Sequence, residues 1–138
     1  MLRSPGEQRT YREWKRDAPT SAAQARELAR EFMTAVGCHD ERHRDAVLVV
    51  VSELVTNALR YAHGVTGFRL SRHDRGLTVS VHDAGTQPPR TVPLDPGSPG
   101  GFGLHLVRGL TEGGVRVEWR PGGKNVWATV PQPRAENP

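Results

Sequence analysis

With 138 residues and one cysteine, the chain has enough length for one domain with its own apolar core, and no intrachain disulfide or Cys-rich metal site is available. The sequence pI is near 10.0, but all but two of the 19 basic residues are arginine and they are interspersed with acids along the whole chain. No basic block with interleaved aromatics stands out, so direct nucleic-acid binding is not expected.

The opening stretch MLRSPGEQRTYREWKR lacks the apolar run of a signal peptide, and no segment approaches the roughly 20 apolar residues of a membrane span. The expectation is a cytoplasmic protein without membrane contact, with residues 1–8 disordered, a domain over 9–131 and a disordered tail over 132–138. Residues 9–16 suit a short edge strand in which Tyr11 and Trp14 are the large apolar groups.

Ser21 with Gln24 three residues on forms a capping-box pattern, and Ala25, Leu28, Ala29, Phe32 and Val36 follow at helical spacing until Gly37 stops the run. A second helix is predicted from Asp40 as N-cap to His63, ahead of Gly64, because that stretch contains neither Gly nor Pro. The aliphatic run AVLVVV also fits a buried strand, but periodicity favours the helix. Val47, Val51, Leu54, Val55, Ala58 and Ala62 share one helical face, and Ser52, Glu53, Thr56, Asn57 and Arg60 share the other.

VTGFRLSRH and LTVSVHD alternate around Asp74-Arg75-Gly76 as an antiparallel hairpin. Residues 84–101 hold five of the eleven prolines and read as a long irregular insert. GFGLHLVRGLTEG then suits a helix opened by glycines, and VRVEWR and NVWATV flank Pro-Gly-Gly as a second hairpin. The sum is an α+β, two-layer α/β sandwich, with helices on one face of a mixed, mostly antiparallel sheet.

Three features carry chemistry. Glu53 and Asn57 project side by side from one helix; an amide oxygen suits Mg²⁺, and a carboxylate can orient or deprotonate an attacking group. Asp83-Ala84-Gly85 closes a strand, where a carboxylate can accept from the exocyclic amine of a purine and glycine admits a close approach. Gly101-Phe102-Gly103-Leu104 opens a helix whose N–H groups suit phosphate. A solvated helix face, an ordinary Asp-x-Gly turn and a packing turn are the respective alternatives.

In this order and spacing the three segments, VSELVTNALRYA, DAG and GGFGL, resemble the N, G1 and G2 boxes of the GHKL ATPase superfamily. Within it the chain is most similar to the small anti-sigma-factor-type serine/threonine kinases, to which GKNVWATV also corresponds. The resemblance spans about residues 20–131 and implies a Bergerat-type sandwich binding ATP and Mg²⁺. It implies Glu53 as general base, Asn57 as metal ligand, Asp83 as the adenine-contacting carboxylate and Gly85 as the close-approach glycine. It further implies Gly101, Phe102, Gly103 and Leu104 at the phosphates, an ATP lid over Thr86–Gly100, and Arg90 reaching the γ-phosphate. The chain departs from the pattern at Gln87, where a second glycine is usual, and at Asn125, where a threonine beside the adenine is usual.

The implied function is an ATP-binding regulatory kinase that phosphorylates a Ser or Thr of an anti-anti-sigma (STAS) protein, sequesters a sigma factor, or both. Relatives of this kind often dimerise, which puts a homodimer among the expected assemblies. The alternative is a non-catalytic, nucleotide-responsive protein-binding module.

Overall fold

The computed structural model describes residues 10–89 and 103–132, without the side chains of 10, 11 and 103–106. The expectations for residues 1–8, for the tail beyond 132, for the part of the Thr86–Gly100 lid from Arg90 onward, and for Gly101 and Phe102 lie outside these residues. The element order is β1 (Thr10–Arg16), α1 (Ala22–Ala35), α2 (Glu41–Tyr61), β2 (Val65–His73), β3 (Gly76–Asp83), α3 (Gly103–Leu110), β4 (Arg116–Arg120) and β5 (Gly123–Pro131). The strands form one sheet in the order β1-β2-β3-β5-β4, and every described pairing is antiparallel. The α+β sandwich is therefore as expected, with antiparallel pairing throughout.

Local chemistry sets the helix ends. The Ser21 hydroxyl accepts from the Gln24 N–H at 3.1 Å, while the Gln24 carboxamide accepts from the Thr20 N–H at 2.8 Å, one residue before the box predicts. At the other end Gly37 sits at φ +77°. The Cys38 N–H reaches the Met33 carbonyl and the Gly37 N–H that of Thr34, which is a Schellman closure. Asp40 caps α2 by accepting from the His43 N–H at 2.9 Å. α2 ends at Tyr61, slightly before the predicted stop, because His63 as well as Gly64 takes positive φ, and the Gly64 N–H folds back to the Ala58 carbonyl.

The helices cover one face of the sheet. Phe32 and Met33 of α1, Val47, Val51, Leu54 and Val55 of α2, and Val107 of α3 meet Leu70, Leu77, Val79, Val81 and Ala128 of the sheet in one buried cluster. Each such side chain withdrawn from water contributes roughly 1.5–3 kcal/mol before chain entropy is set against it. Trp14 extends the cluster to the β1 edge, its ring 5.2 Å from Phe32 and nearly perpendicular to it. The opposite face of the sheet has no helix on it among the described residues, and Arg69, Ser71, Thr78, Ser80, Asn125 and Trp127 line a shallow polar concavity there.

The β2–β3 connection is a two-residue loop, Asp74-Arg75, between paired His73 and Gly76. Gly76 has φ +149° and a Cβ there would lie 2.1 Å from the Val130 carbonyl oxygen. Gly76→Ala is expected to destabilise the protein by about 1–3 kcal/mol from the dihedral alone, and more from the clash, read as a lowered urea midpoint.

Two histidines are built into this layer as neutral groups. Burial pushes His43 and His73 below their ordinary value near 6.5. His43 Nδ1 lies 3.1 Å from the Pro131 carbonyl oxygen and His73 Nε2 2.6 Å from Thr78 Oγ1. Burial and Arg120 lower the half-buried His82 in the same sense. The unfolded chain therefore binds more protons than the folded one below about pH 6.5, so stability is full above that pH and falls as the pH drops through the lower folded values. Glu53, raised by burial, acts in the opposite sense nearer the carboxylate range. Urea midpoints measured from pH 7.5 down to 5.5 are expected to decline, and a flat profile would contradict the neutral packing of these imidazoles.

Candidate functional site

α2 presents two faces, as its periodicity predicts. Val47, Val51, Leu54, Val55, Ala58 and Ala62 are buried, whereas Ser52, Glu53, Thr56 and Asn57 are half-buried and Arg60 is exposed. Glu53 and Asn57, one turn apart, thus lie side by side on the rim of the helix layer. Arg26 of α1 flanks that rim, donating to the Ser52 hydroxyl at 3.1 Å. Burial raises the Glu53 carboxyl above its ordinary value, with Arg60 opposing the shift. A carboxylate made more basic in this way is a better proton acceptor.

At the end of β3, Asp83 points inward with the parity of Val79 and Val81 and is 5% exposed. Its Oδ1 accepts from the Gly85 N–H at 2.8 Å, closing a tight turn. The same oxygen accepts from Lys124 Nζ at 2.8 Å, and both side chains are almost fully buried. Asp83 and Lys124 are direct partners across the β3–β5 ladder. Gly85 sits against the end of α2: a Cβ on it would meet Ala62 Cβ at 2.8 Å and Lys124 Nζ at 2.9 Å. Ala62 lies five residues beyond Asn57, about 7.5 Å along the helix axis. The β3 tip, the start of β5 and the C-terminal turns of α2 are therefore brought together.

α3 begins at Gly103 and packs on α2, with Val107 sealing the core. That brings the backbone of Gly103 and Leu104 to the helix layer that carries Glu53 and Asn57, while Arg90, Gly101 and Phe102 lie outside the described residues. Asn125 is placed elsewhere. It pairs with His82 and lines the open face of the sheet, its buried Oδ1 without a hydrogen-bond partner among the described residues. The residue beside Asp83 is Lys124, which sequence reasoning passed over. The signal was present in the alternation of β5: Val126, Ala128 and Val130 face the core, so position 124 faces inward and position 125 outward.

A family model described as a histidine kinase-like ATPase domain matches residues 16–130. The chain belongs to the histidine kinase-like ATPase family. This ATPase domain also has the fold of a solved structure, the RsbU and RsbW domains of Rv1364c from Mycobacterium tuberculosis. The match has a TM-score of 0.58 and 18% identity, covering 88% of this chain and 33% of that one. The chain thus spans about a third of that protein's length. No curated protein matches the sequence.

Family membership implies ATP binding, and the donor set of the ATPase domain suits the accompanying cation. Among the described residues no group of three or more His, Cys, Asp or Glu is placed to hold a metal. Mg²⁺ does not require one, since it keeps several waters and takes one or two protein oxygens plus phosphates. The Asn57 carboxamide oxygen, one helical turn from Glu53, is an oxygen of that chemical type and would be the residue to hold it. Among the described residues no helix of the ATPase domain is long and apolar enough to cross a membrane.

Proposed function

We propose that the chain is an ATP-binding regulatory kinase that transfers the γ-phosphoryl group to a Ser or Thr hydroxyl of a protein partner, an anti-anti-sigma (STAS) domain. The observation that carries this reading is the half-buried pair Glu53 and Asn57 on the rim of α2, with Glu53 made more basic by burial. Glu53 accepts the proton as the hydroxyl oxygen bonds to the γ-phosphorus and the bond to the β,γ-bridging oxygen breaks, releasing ADP. Asn57 holds Mg²⁺, which neutralises charge on the phosphates. N–H groups of Gly101, Phe102, Gly103 and Leu104 receive the phosphates. Asp83 and Gly85 form the base end, and Arg90 reaches the γ-phosphate from the lid. A homodimer, capture of a sigma factor and a cytoplasmic setting complete the proposal, and they rest on the resemblance of VSELVTNALRYA, DAG and GGFGL to the anti-sigma-factor-type kinases.

The test is transfer of label from γ-labelled ATP to a purified STAS-domain protein, followed by identification of the modified residue. Labelled phosphoserine or phosphothreonine supports the kinase. Nucleotide binding without transfer to any STAS partner supports the second reading, a non-catalytic nucleotide-responsive module. What favours that second reading is the engagement of Asp83 by the chain's own Lys124.

A further inference from the structure

The face of the sheet without a helix carries two cross-strand pairs of opposite character. Asn125 and Trp127 stand two residues apart on β5 and share that face, about 7 Å from each other along the strand. Glu118 of β4 pairs with Asn125, and Arg116 with Trp127. Both pairs line one cavity of about 470 Å³, together with the hydroxyls of Ser80 and Thr78.

One end of this cavity lacks a hydrogen-bond donor. Asn125 is nine-tenths buried, and its Oδ1 has no partner among the described residues. An acceptor left in that state forfeits roughly five- to a hundred-fold in the equilibrium that buries it, a loss that an incoming N–H recovers. Beside it, Arg120 directs Nε and Nη2 to the same Glu118 oxygen, Oε1, at 3.2 and 3.1 Å. That pair is exposed, so turning the other oxygen toward a ligand costs little. The other end lacks an anion. Arg69, Arg75 and Arg120 each hold a glutamate on this face, whereas Arg116 holds none among the described residues and lies 5.4 Å from the centre of the Trp127 ring.

The occupant that answers both ends carries a cationic donor and an anion on one small body. A simple anion would set its charge against Glu118 and leave Asn125 Oδ1 unmet; a simple cation would face Arg116; a neutral polyol would leave Arg116 without a counter-charge. An ammonium has three N–H donors for Asn125 and Glu118, and a carboxylate matches the forked guanidinium of Arg116. We propose that this face is a binding site for a free α-amino acid, held by its ammonium at Asn125 and Glu118 and by its carboxylate at Arg116. The site lies on the opposite side of the sheet from Asp83 and needs no residue of the nucleotide site.

Amide NMR titration of the full chain with each common L-amino acid at millimolar concentration tests it, followed by calorimetry on those that shift Asn125 and Trp127. At least one is expected to bind saturably, and its N-acetyl and amide derivatives each about tenfold more weakly. In Arg116→Gln the free acid and the amide are expected within about threefold of each other. Asn125→Leu is expected to bind about tenfold more weakly with no lowering of the urea midpoint, because an unpartnered buried acceptor is exchanged for an apolar group of similar shape. The absence of any saturable binder, derivatives that bind as well as the parent, an Arg116→Gln that keeps its preference for the free acid, or an Asn125→Leu that loses stability but not affinity overturns the proposal. Shifts on this face that follow protein concentration instead of added amino acid place a second copy there and overturn it as well.

Discussion

Glu53→Gln is expected to lower phosphoryl transfer by about 100- to 10,000-fold while nucleotide affinity stays within about twofold. Glutamine keeps the length and shape of glutamate at a half-buried position but cannot accept the proton of an incoming hydroxyl. The split between transfer and binding is the diagnostic feature, because a packing defect on α2 would weaken both. The pH profile supplies a second readout. With the Glu53 carboxyl raised by burial, the wild-type rate should climb with pH as that group ionises, above its ordinary value, and then level off. In Glu53→Gln that limb should vanish. Equal loss of binding and transfer, or a pH limb that survives the substitution, would remove Glu53 from its role.

Lys124→Met is expected to destabilise the fold by about 3–5 kcal/mol, because it leaves the Asp83 carboxylate buried without its partner. Most of that loss should return in Asp83→Asn/Lys124→Met, which removes the charge at both ends, since replacing both members of a buried pair is often neutral. Urea denaturation of the two single variants and the double variant closes the cycle. A coupling above roughly 2 kcal/mol identifies a desolvated pair. A single-variant cost below about 1 kcal/mol would instead describe a solvated pair of the surface kind and contradict the burial of both side chains.

The elements that a local signal specifies were readable without coordinates. The α2 faces follow from residue type at a period of 3.6, and the positions predicted to face inward, from Val47 to Ala62, are buried. Ser21, Asp40, Gly37 and Gly64 mark helix ends for reasons confined to a few residues of backbone. Both hairpins, Asp74-Arg75 and Pro121-Gly122, lie between alternating runs.

What was not readable depends on contacts between distant segments. β5 inserts between β3 and β4, a choice no local pattern encodes, and that insertion sets Lys124 opposite Asp83. Strand parity alone would have turned position 124 inward, but a lysine among Val126, Ala128 and Val130 reads as an end-of-strand charge until its acidic partner is known. The same parity places Asn125 on the open face, away from Asp83. The pairing of Glu53 with Asn57 was legible because one helix carries both.

The central claim is that the rim of α2, the β3 tip and the start of α3 meet around a magnesium nucleotide. Backbone amide NMR shifts during titration with Mg·ATP test it most directly. The account predicts saturable shifts at Glu53, Asn57, Asp83, Ala84, Gly85, Gly103 and Lys124, with the open face around Ser71, Thr78 and Trp127 unmoved. Shifts confined to that open face, or no saturable shift, would contradict it.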